Sequence, residues 1–329
     1  MKTNEYLNYI YYIFKRNSWM LDPRMLINFK KIKIDKPIFL LGVQGGGLTL
    51  ISRMLRRNKK VVSVTGNSNY WAGADEMQNV FGPILPSELT GIKYKITEHE
   101  EIKKNSSWKY ASNGVINDYR NTENDVTKKL RSKIKKIIRY IIKRYGDNSD
   151  IRFIDKSQIY TIKVSFINEL LKTSDPRFVL ITRNPYAVCY RAPKISSGLK
   201  NLPNEYSHED KLRLAAEHWK NSNELALKDG KKVDNFMVMK FESVLMNPKK
   251  QILKLCEFCN LKFNHNMIPQ KNHKNPFGSL RRKRWYPLRK NVNKKYFEKM
   301  SKEEYEIIDN YCGELAENFG YKKPKFENL

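Results

Sequence analysis

The chain has 329 residues, 40% of them hydrophobic, with 63 Lys and Arg against 34 Asp and Glu and a formal charge of +29. That is enough to bury a full core as one large α/β domain, or as one domain with a subdomain. Four cysteines (Cys189, Cys256, Cys259, Cys312) exclude a disulfide framework and predict a reducing, cytoplasmic setting, and no apolar run reaches the ~18 residues of a membrane span.

Residues 1–36 read as an N-terminal helical extension. Its run Tyr6–Phe14 is too short to span a membrane and lacks the small-residue cleavage site of a signal sequence, so it is expected to pack on the domain. A single α/β domain is expected over 37–329, with an insertion at about 66–147. Pro37–Leu41 is an apolar run that reads as a buried strand; Gly45-Gly46-Gly47 and a helix-compatible Leu50–Leu55 follow. A strand, a phosphate-sized glycine loop and a helix N-terminus favour an anion, because loop N–H groups and the positive end of the helix dipole converge. Gly42, Gly47 and Thr49 fit the template G-x-x-x-x-G-K-[ST], with Leu48 in place of the lysine. That lysine reaches the β/γ-phosphates in nucleotide triphosphatases, so its loss argues for a ligand with a shorter 5′ group. The candidate binding residues are Gln44, Gly45, Gly46, Gly47, Leu48, Thr49 and Leu50. The plainer alternative is a glycine turn that only packs a helix on a strand.

Lys60–Val64 reads as a second strand. After it Gly66–Asn79 mixes aromatics with the acidic pair Asp75-Glu76, just past a strand's carboxyl end, where parallel sheets bind ligands. Either acid is a candidate general base, or a helix N-terminal acid on the dipole. Pro83–Asp125 is irregular and looks like an insertion over one side of the sheet. Leu130, Ile134, Ile137, Ile138, Ile141 and Ile142 then fall at helical spacing with Lys and Arg opposite, and Gly146 stops the run. The stripe reads as core, with binding to a membrane or an acidic polymer as the alternative.

Ile151–Lys156 is a third strand and Phe178–Pro185 a fourth, which delivers Arg183 where a triphosphatase would place a metal-binding aspartate. A cationic, metal-free site is expected; otherwise Arg183 makes a strand-end salt bridge and Lys156 is a surface charge. Ser207-His208-Glu209-Asp210 caps a long helix to Gly230, Phe236–Lys240 is a fifth strand, and Asn247-Pro248 caps the next helix. That helix carries Cys256 and Cys259, whose C-x-x-C spacing has no second ligand pair, so both read as small hydrophobes. Arg281, Arg282, Lys283, Arg284 and Trp285 lie in the polar stretch Lys271–Lys295 and can grip a phosphate and stack a base, or form a solvated charge run. Ser301 opens the closing helix, which stops at Gly320. The lysines are spread from end to end, so most read as solvated faces, and nucleic acid is not the expected partner.

With these pieces in place the chain resembles the sulfotransferases that use 3′-phosphoadenosine 5′-phosphosulfate (PAPS). Pro37–Ile51 is similar to the family's 5′-phosphosulfate loop, Phe178–Arg191 to its 3′-phosphate segment, and Asp155-Lys156-Ser157 to its acid-lysine-threonine element. Phe236–Leu261 resembles the late strand-acid-Asn-Pro-helix unit, and the likeness runs from about Pro37 to Tyr321. There are departures. Gly45-Gly46 stand where the family has Arg or Lys and then Ser or Thr, Leu48 replaces a Thr, and Arg191 stands where Ser is usual. The loss of the loop cation leaves the departing sulfate's bridging oxygen without its usual partner. Lys156 or a residue of Arg281–Arg284 supplies that charge, or the nucleotide binds without efficient turnover.

The resemblance implies a P-loop-like fold, a mostly parallel central sheet flanked by helices, and metal-free, in-line sulfuryl transfer to an acceptor hydroxyl or amine. It implies that the loop and Thr49 hold the phosphosulfate, and that Arg183, with Arg191 and Arg281, Arg282, Lys283 and Trp285, holds the 3′-phosphate. Glu76, favoured over Asp75, is then the base, and Lys156 stabilises the leaving group. Tyr70, Trp71 and Trp108 suit stacking on a carbohydrate acceptor, or equally a core. Two other classes stay open: a kinase-like phosphotransferase, which needs Mg²⁺ and the missing lysine, and a non-catalytic basic module for acidic glycan, nucleic acid or a membrane surface.

Overall fold

A computed structural model describes residues 7, 10, 11, 14, 17–66, 75–89, 110–146, 150–195, 199–200, 202, 204–271, 273 and 286–324. Five strands, β1 (Ile38–Leu41), β2 (Val61–Val62), β3 (Arg152–Asp155), β4 (Arg177–Thr182) and β5 (Phe236–Lys240), form one sheet in the order β2-β3-β1-β4-β5. Each pairing is parallel. The chain leaves central β1 for the β2 edge, returns through β3, and crosses to β4 on the far side. The order therefore reverses at β1, and the crevice beyond the strand ends there is where such sheets bind ligands.

Period-two alternation splits the strands between two cores. Ile38, Leu40, Val179 and Ile181 face a layer made by α1 (Leu48–Leu55), α6 (Phe241–Met246) and α7 (Pro248–Phe258). Phe39, Leu41, Phe178 and Leu180 face the opposite layer, made by α2 (Lys128–Tyr145), α3 (Val164–Leu171), α4 (Pro185–Arg191), α5 (His208–Gly230) and α8 (Lys302–Asn318). Strands covered on both faces have to be apolar throughout, which is why β1 reads Ile-Phe-Leu-Leu. The α2 stripe is core, as its spacing predicts: Ile134, Ile137, Ile138 and Ile141 are all buried.

Several local expectations shift. β2 ends at Val62 rather than Val64 because the Ser63 hydroxyl and the Gly66 N–H close a turn between those two residues. Asn247 makes no side-chain cap on α7; it is also the C-cap of α6, and Pro248 in the first turn sets the start. Ser207 and Ser301 form the expected capping boxes. Cys256 and Cys259 are buried in the α7 layer, and burial pushes both thiols up to about 12, as fits small core hydrophobes. The N-terminal extension divides into exposed and buried residues. Its described residues Leu7, Ile10, Tyr11 and Phe14 are helical with exposed side chains, whereas Trp19 and Ile34 further along are buried in the core. Among the described residues no helix is long and apolar enough to cross a membrane.

Candidate active site

The loop between β1 and α1 is held from three sides. Gly42 has φ of 145°, and a Cβ there would lie 2.5 Å from the Ile181 carbonyl oxygen on β4. Its N–H donates to Thr161 Oγ1 at 2.8 Å, and the Thr161 hydroxyl lies 3.2 Å from the Gly42 carbonyl. Gly46 N–H closes a turn onto Val43. Gly47, at φ 100°, is the N-cap of α1, and a Cβ on it would sit 2.1 Å from the Phe241 ring. Only glycine lets that ring lie flat against the loop.

A glycine N-cap offers no side chain to the first helical N–H groups, so they remain directed at whatever occupies the crevice. Thr49 is half-buried, while Leu48 and Leu50 turn their side chains into the α1 layer. Leu50 N–H bonds back to the Gly47 carbonyl at 3.0 Å, which removes it from the donor set that the sequence suggested. Gly46 N–H is likewise committed, to Val43, so the expectation narrows to Gln44, Gly45, Gly47, Leu48 and Thr49.

Arg183, one residue beyond β4, reaches over this loop. Its Nη1 donates to the Gly45 carbonyl at 2.8 Å, and its Nε and Nη2 donate to Asn293 Oδ1 at 3.1 and 2.8 Å. The guanidinium lies 5.2 Å from the Phe241 ring centroid, and the Arg183 carbonyl accepts the Trp219 indole N–H at 3.0 Å. Asn293 is fixed in turn by Glu242, which also accepts the Asn184 N–H. Burial lowers the Arg183 pKa; Glu242 opposes this and the nearby Arg191 cation adds to it. The guanidinium assigned by resemblance to a 3′-phosphate thus already rests on the 5′ loop's own backbone.

A second cluster sits beyond β3. Lys156 Nζ lies 2.8 Å from Glu76 Oε1 and 3.1 Å from Asp75 Oδ1, so all three sequence candidates meet. Asp75 also pairs with Arg56 and, at 3.7 Å, with Arg53, both from the α1 end of the loop unit. Glu76 accepts from Gln78 Nε2 at 2.8 Å, Asn79 Nδ2 at 2.9 Å and Gln158 Nε2 at 3.3 Å. Asp155 receives the Met77 and Ser157 N–H groups, which ties the 75–80 segment to the end of β3.

The environment separates the two acids. Burial alone would raise both, but Lys156, Arg53 and Arg56 hold the Asp75 carboxyl well below the usual carboxylate range. Glu76 is governed by burial and ends above its ordinary value despite Lys156. Burial would lower Lys156, yet Asp75 and Glu76 outweigh it and its pKa is raised. Glu76 is therefore the more basic carboxylate, and Asp75 the counter-ion that keeps three buried cations in place.

Tyr110 joins this cluster to the loop. Its hydroxyl donates to the Gln158 carbonyl at 2.8 Å, Thr161 and Ser222 lie beside it, and burial, with the Glu76 charge, raises its pKa. Its ring stands edge-on to His218 at 4.6 Å, and burial pushes that imidazole down to about 3, which leaves it neutral near pH 7. Sequence reading missed Thr161, Phe241, Asn293, Arg53 and Arg56. Phe241 and Glu242 directly follow β5, a strand-end position that is itself a signal; Thr161 and Asn293 have none. Arg281, Arg282, Lys283, Arg284, Trp285, Tyr70, Trp71 and Trp108 lie outside the described residues.

The chain matches the model of the sulfotransferase family over residues 37–265. No curated protein sequence matches it. Three similar solved structures share the fold at low identity. A sulfotransferase domain from the curacin biosynthetic pathway has a TM-score of 0.52 at 16% identity, covering 89% of this chain and 100% of its own. The sulfotransferase domain of the Synechococcus PCC 7002 olefin synthase has 0.52 at 16%, covering 91% and 99%. A sulfotransferase of Mycobacterium avium has 0.52 at 14%, covering 98% and 86%.

Proposed function

The chain belongs to the sulfotransferase family, and from that premise we propose that it moves a sulfuryl group in line from PAPS to an acceptor hydroxyl or amine. The observation that carries this reading is Arg183 clamped on the Gly45 carbonyl at the sheet's switch point, beside the buried Lys156–Glu76 pair. The donor supplies an activated sulfuryl group on a phosphate leaving group. The N–H groups of Gln44, Gly45, Gly47, Leu48 and Thr49 bind the 5′ end, and Arg183 with Arg191 faces the second phosphate. Lys156 supplies the positive charge that the loop lacks, close to where negative charge develops on the leaving group. Glu76 takes the acceptor's proton, its raised pKa improving it as a base at neutral pH. Because Glu76 is only 2% exposed and held by three amides, the acceptor has to displace one of these to reach it. A sugar hydroxyl is one acceptor in keeping with this chemistry.

The test is thermal stability with 3′,5′-ADP, 5′-AMP and ATP, each with EDTA and with Mg²⁺. A ligand that binds only the folded state raises the melting temperature. Stabilisation by 3′,5′-ADP and not by 5′-AMP, indifferent to metal, is expected. A response only to ATP with Mg²⁺ would move the chain to phosphoryl transfer. Indifference to all three would leave the loop without a nucleotide.

A further inference from the structure

Twelve large hydrophobic side chains are exposed among the described residues, and eight of them lie within the first 27 residues. Met20, Leu21, Leu26 and Ile27 are 54%, 79%, 84% and 52% exposed on two short turns. This edge is not a loose tail. Trp19 beside it is buried, its ring tilted against Phe81 with centroids 4.9 Å apart, and Phe81 itself packs on Tyr140 of α2. Asp22 accepts the Tyr140 hydroxyl at 2.9 Å and pairs with Arg144, and Arg139 donates to the Ile32 carbonyl at 3.1 Å. Just upstream, Leu7, Ile10, Tyr11 and Phe14 have i, i+3, i+4, i+7 spacing, one helical face, and are exposed too.

The charge around this edge is mostly positive. Residues 1–36 contain eight Lys and Arg against three acids, and α2, on which the edge is mounted, contains nine Lys and Arg and no acid. Lys136 and Lys143 lie one helical turn to either side of the Arg139–Tyr140 anchor. We propose that this face docks the protein on an anionic lipid bilayer, the apolar side chains entering the interface and the α2 cations lying against the headgroups. Both halves of the surface are used. A nucleic acid backbone would leave Leu21 and Leu26 in water, and a second copy of the chain would bring α2 against like charge. None of its residues is among those assigned to the donor or to the acid–lysine cluster, so it stands whatever the donor proves to be.

The test is co-sedimentation of the full chain with vesicles of phosphatidylcholine alone and of phosphatidylcholine with phosphatidylserine, at low and high salt. Sedimentation is followed by analytical ultracentrifugation without lipid. Binding to the anionic vesicles, weakened by salt and poor on neutral ones, is expected. Leu21→Ser with Leu26→Ser, and separately Lys136→Glu with Lys143→Glu, should each weaken it by about tenfold or more with an unchanged melting temperature. Three results overturn the proposal: no binding to anionic vesicles, undiminished binding by the leucine variant, or a lipid-free dimer that the leucine variant disperses.

Discussion

Thr161 holds Gly42 by both backbone groups, its Oγ1 2.8 Å from the N–H and 3.2 Å from the carbonyl. The residue lies 119 positions away in sequence, yet it fixes the first turn of the glycine loop. Each buried bond is worth about 1 kcal/mol net. Thr161→Val should therefore weaken 3′,5′-ADP binding by roughly five- to thirtyfold, and Thr161→Ser should restore it. Titration calorimetry decides; unchanged affinity in the valine variant would mean that the clamp does not shape the site.

Gly47→Ala meets two obstacles. Its positive φ costs an L-residue about 1–2 kcal/mol, and the new Cβ collides with the Phe241 ring. Loss of nucleotide-dependent stabilisation is expected in thermal melts. Adding Phe241→Ala should recover part of the stability, because it removes the collision and leaves the backbone strain.

Arg183→Ala should lower donor affinity by at least about tenfold while acceptor affinity changes little, since a bidentate guanidinium contact is lost. Arg183→Lys should not rescue it, because a lysine cannot span the Gly45 carbonyl and Asn293 Oδ1 with one planar fork. Equal donor affinity in wild type and the alanine variant would remove Arg183 from the donor site.

Glu76→Gln keeps the shape of the side chain and removes its basicity. Turnover should disappear with donor affinity intact, and a fully active variant would rule Glu76 out as base. Because the Glu76 pKa is raised above its ordinary 4.5, wild-type turnover should fall with acidification before an unperturbed glutamate would protonate.

Asp75→Asn leaves Arg53, Arg56 and Lys156 buried with too little negative charge, a loss of about 3–5 kcal/mol near neutral pH. The folded Asp75 pKa lies below its ordinary 3.8, so its contribution is complete above that value and is lost as the pH falls further. Denaturant unfolding from neutral pH downwards should show the gap between wild type and Asp75→Asn closing only in that acid range. A gap that closes well above it would point to another group.

Much of the architecture is local and therefore legible. Both faces of β1 are covered, so its apolar run is continuous, and Ser207 and Ser301 carry their capping partners within three residues. The glycine loop announces itself because positive φ and close backbone approach admit little else at Gly42 and Gly47. Asp75, Glu76 and Lys156 were identifiable as residues past strand ends, though not as partners. The roles of Arg53 and Arg56, in α1 and at its C-cap, were hidden, since only the fold brings Asp75 against both.

By itself the sequence determined the strand-loop-helix unit, the parallel α/β class and the cationic character of the fourth strand end, because each follows from neighbours along the chain. Only the tertiary structure decided which acid keeps its proton more readily, what holds the loop, and where Arg183 points. Those depend on Lys156, Thr161 and Asn293, brought together by strand order and long crossovers. It also decided that the N-terminal apolar stripe faces outward, since periodicity specifies a face but not what covers it.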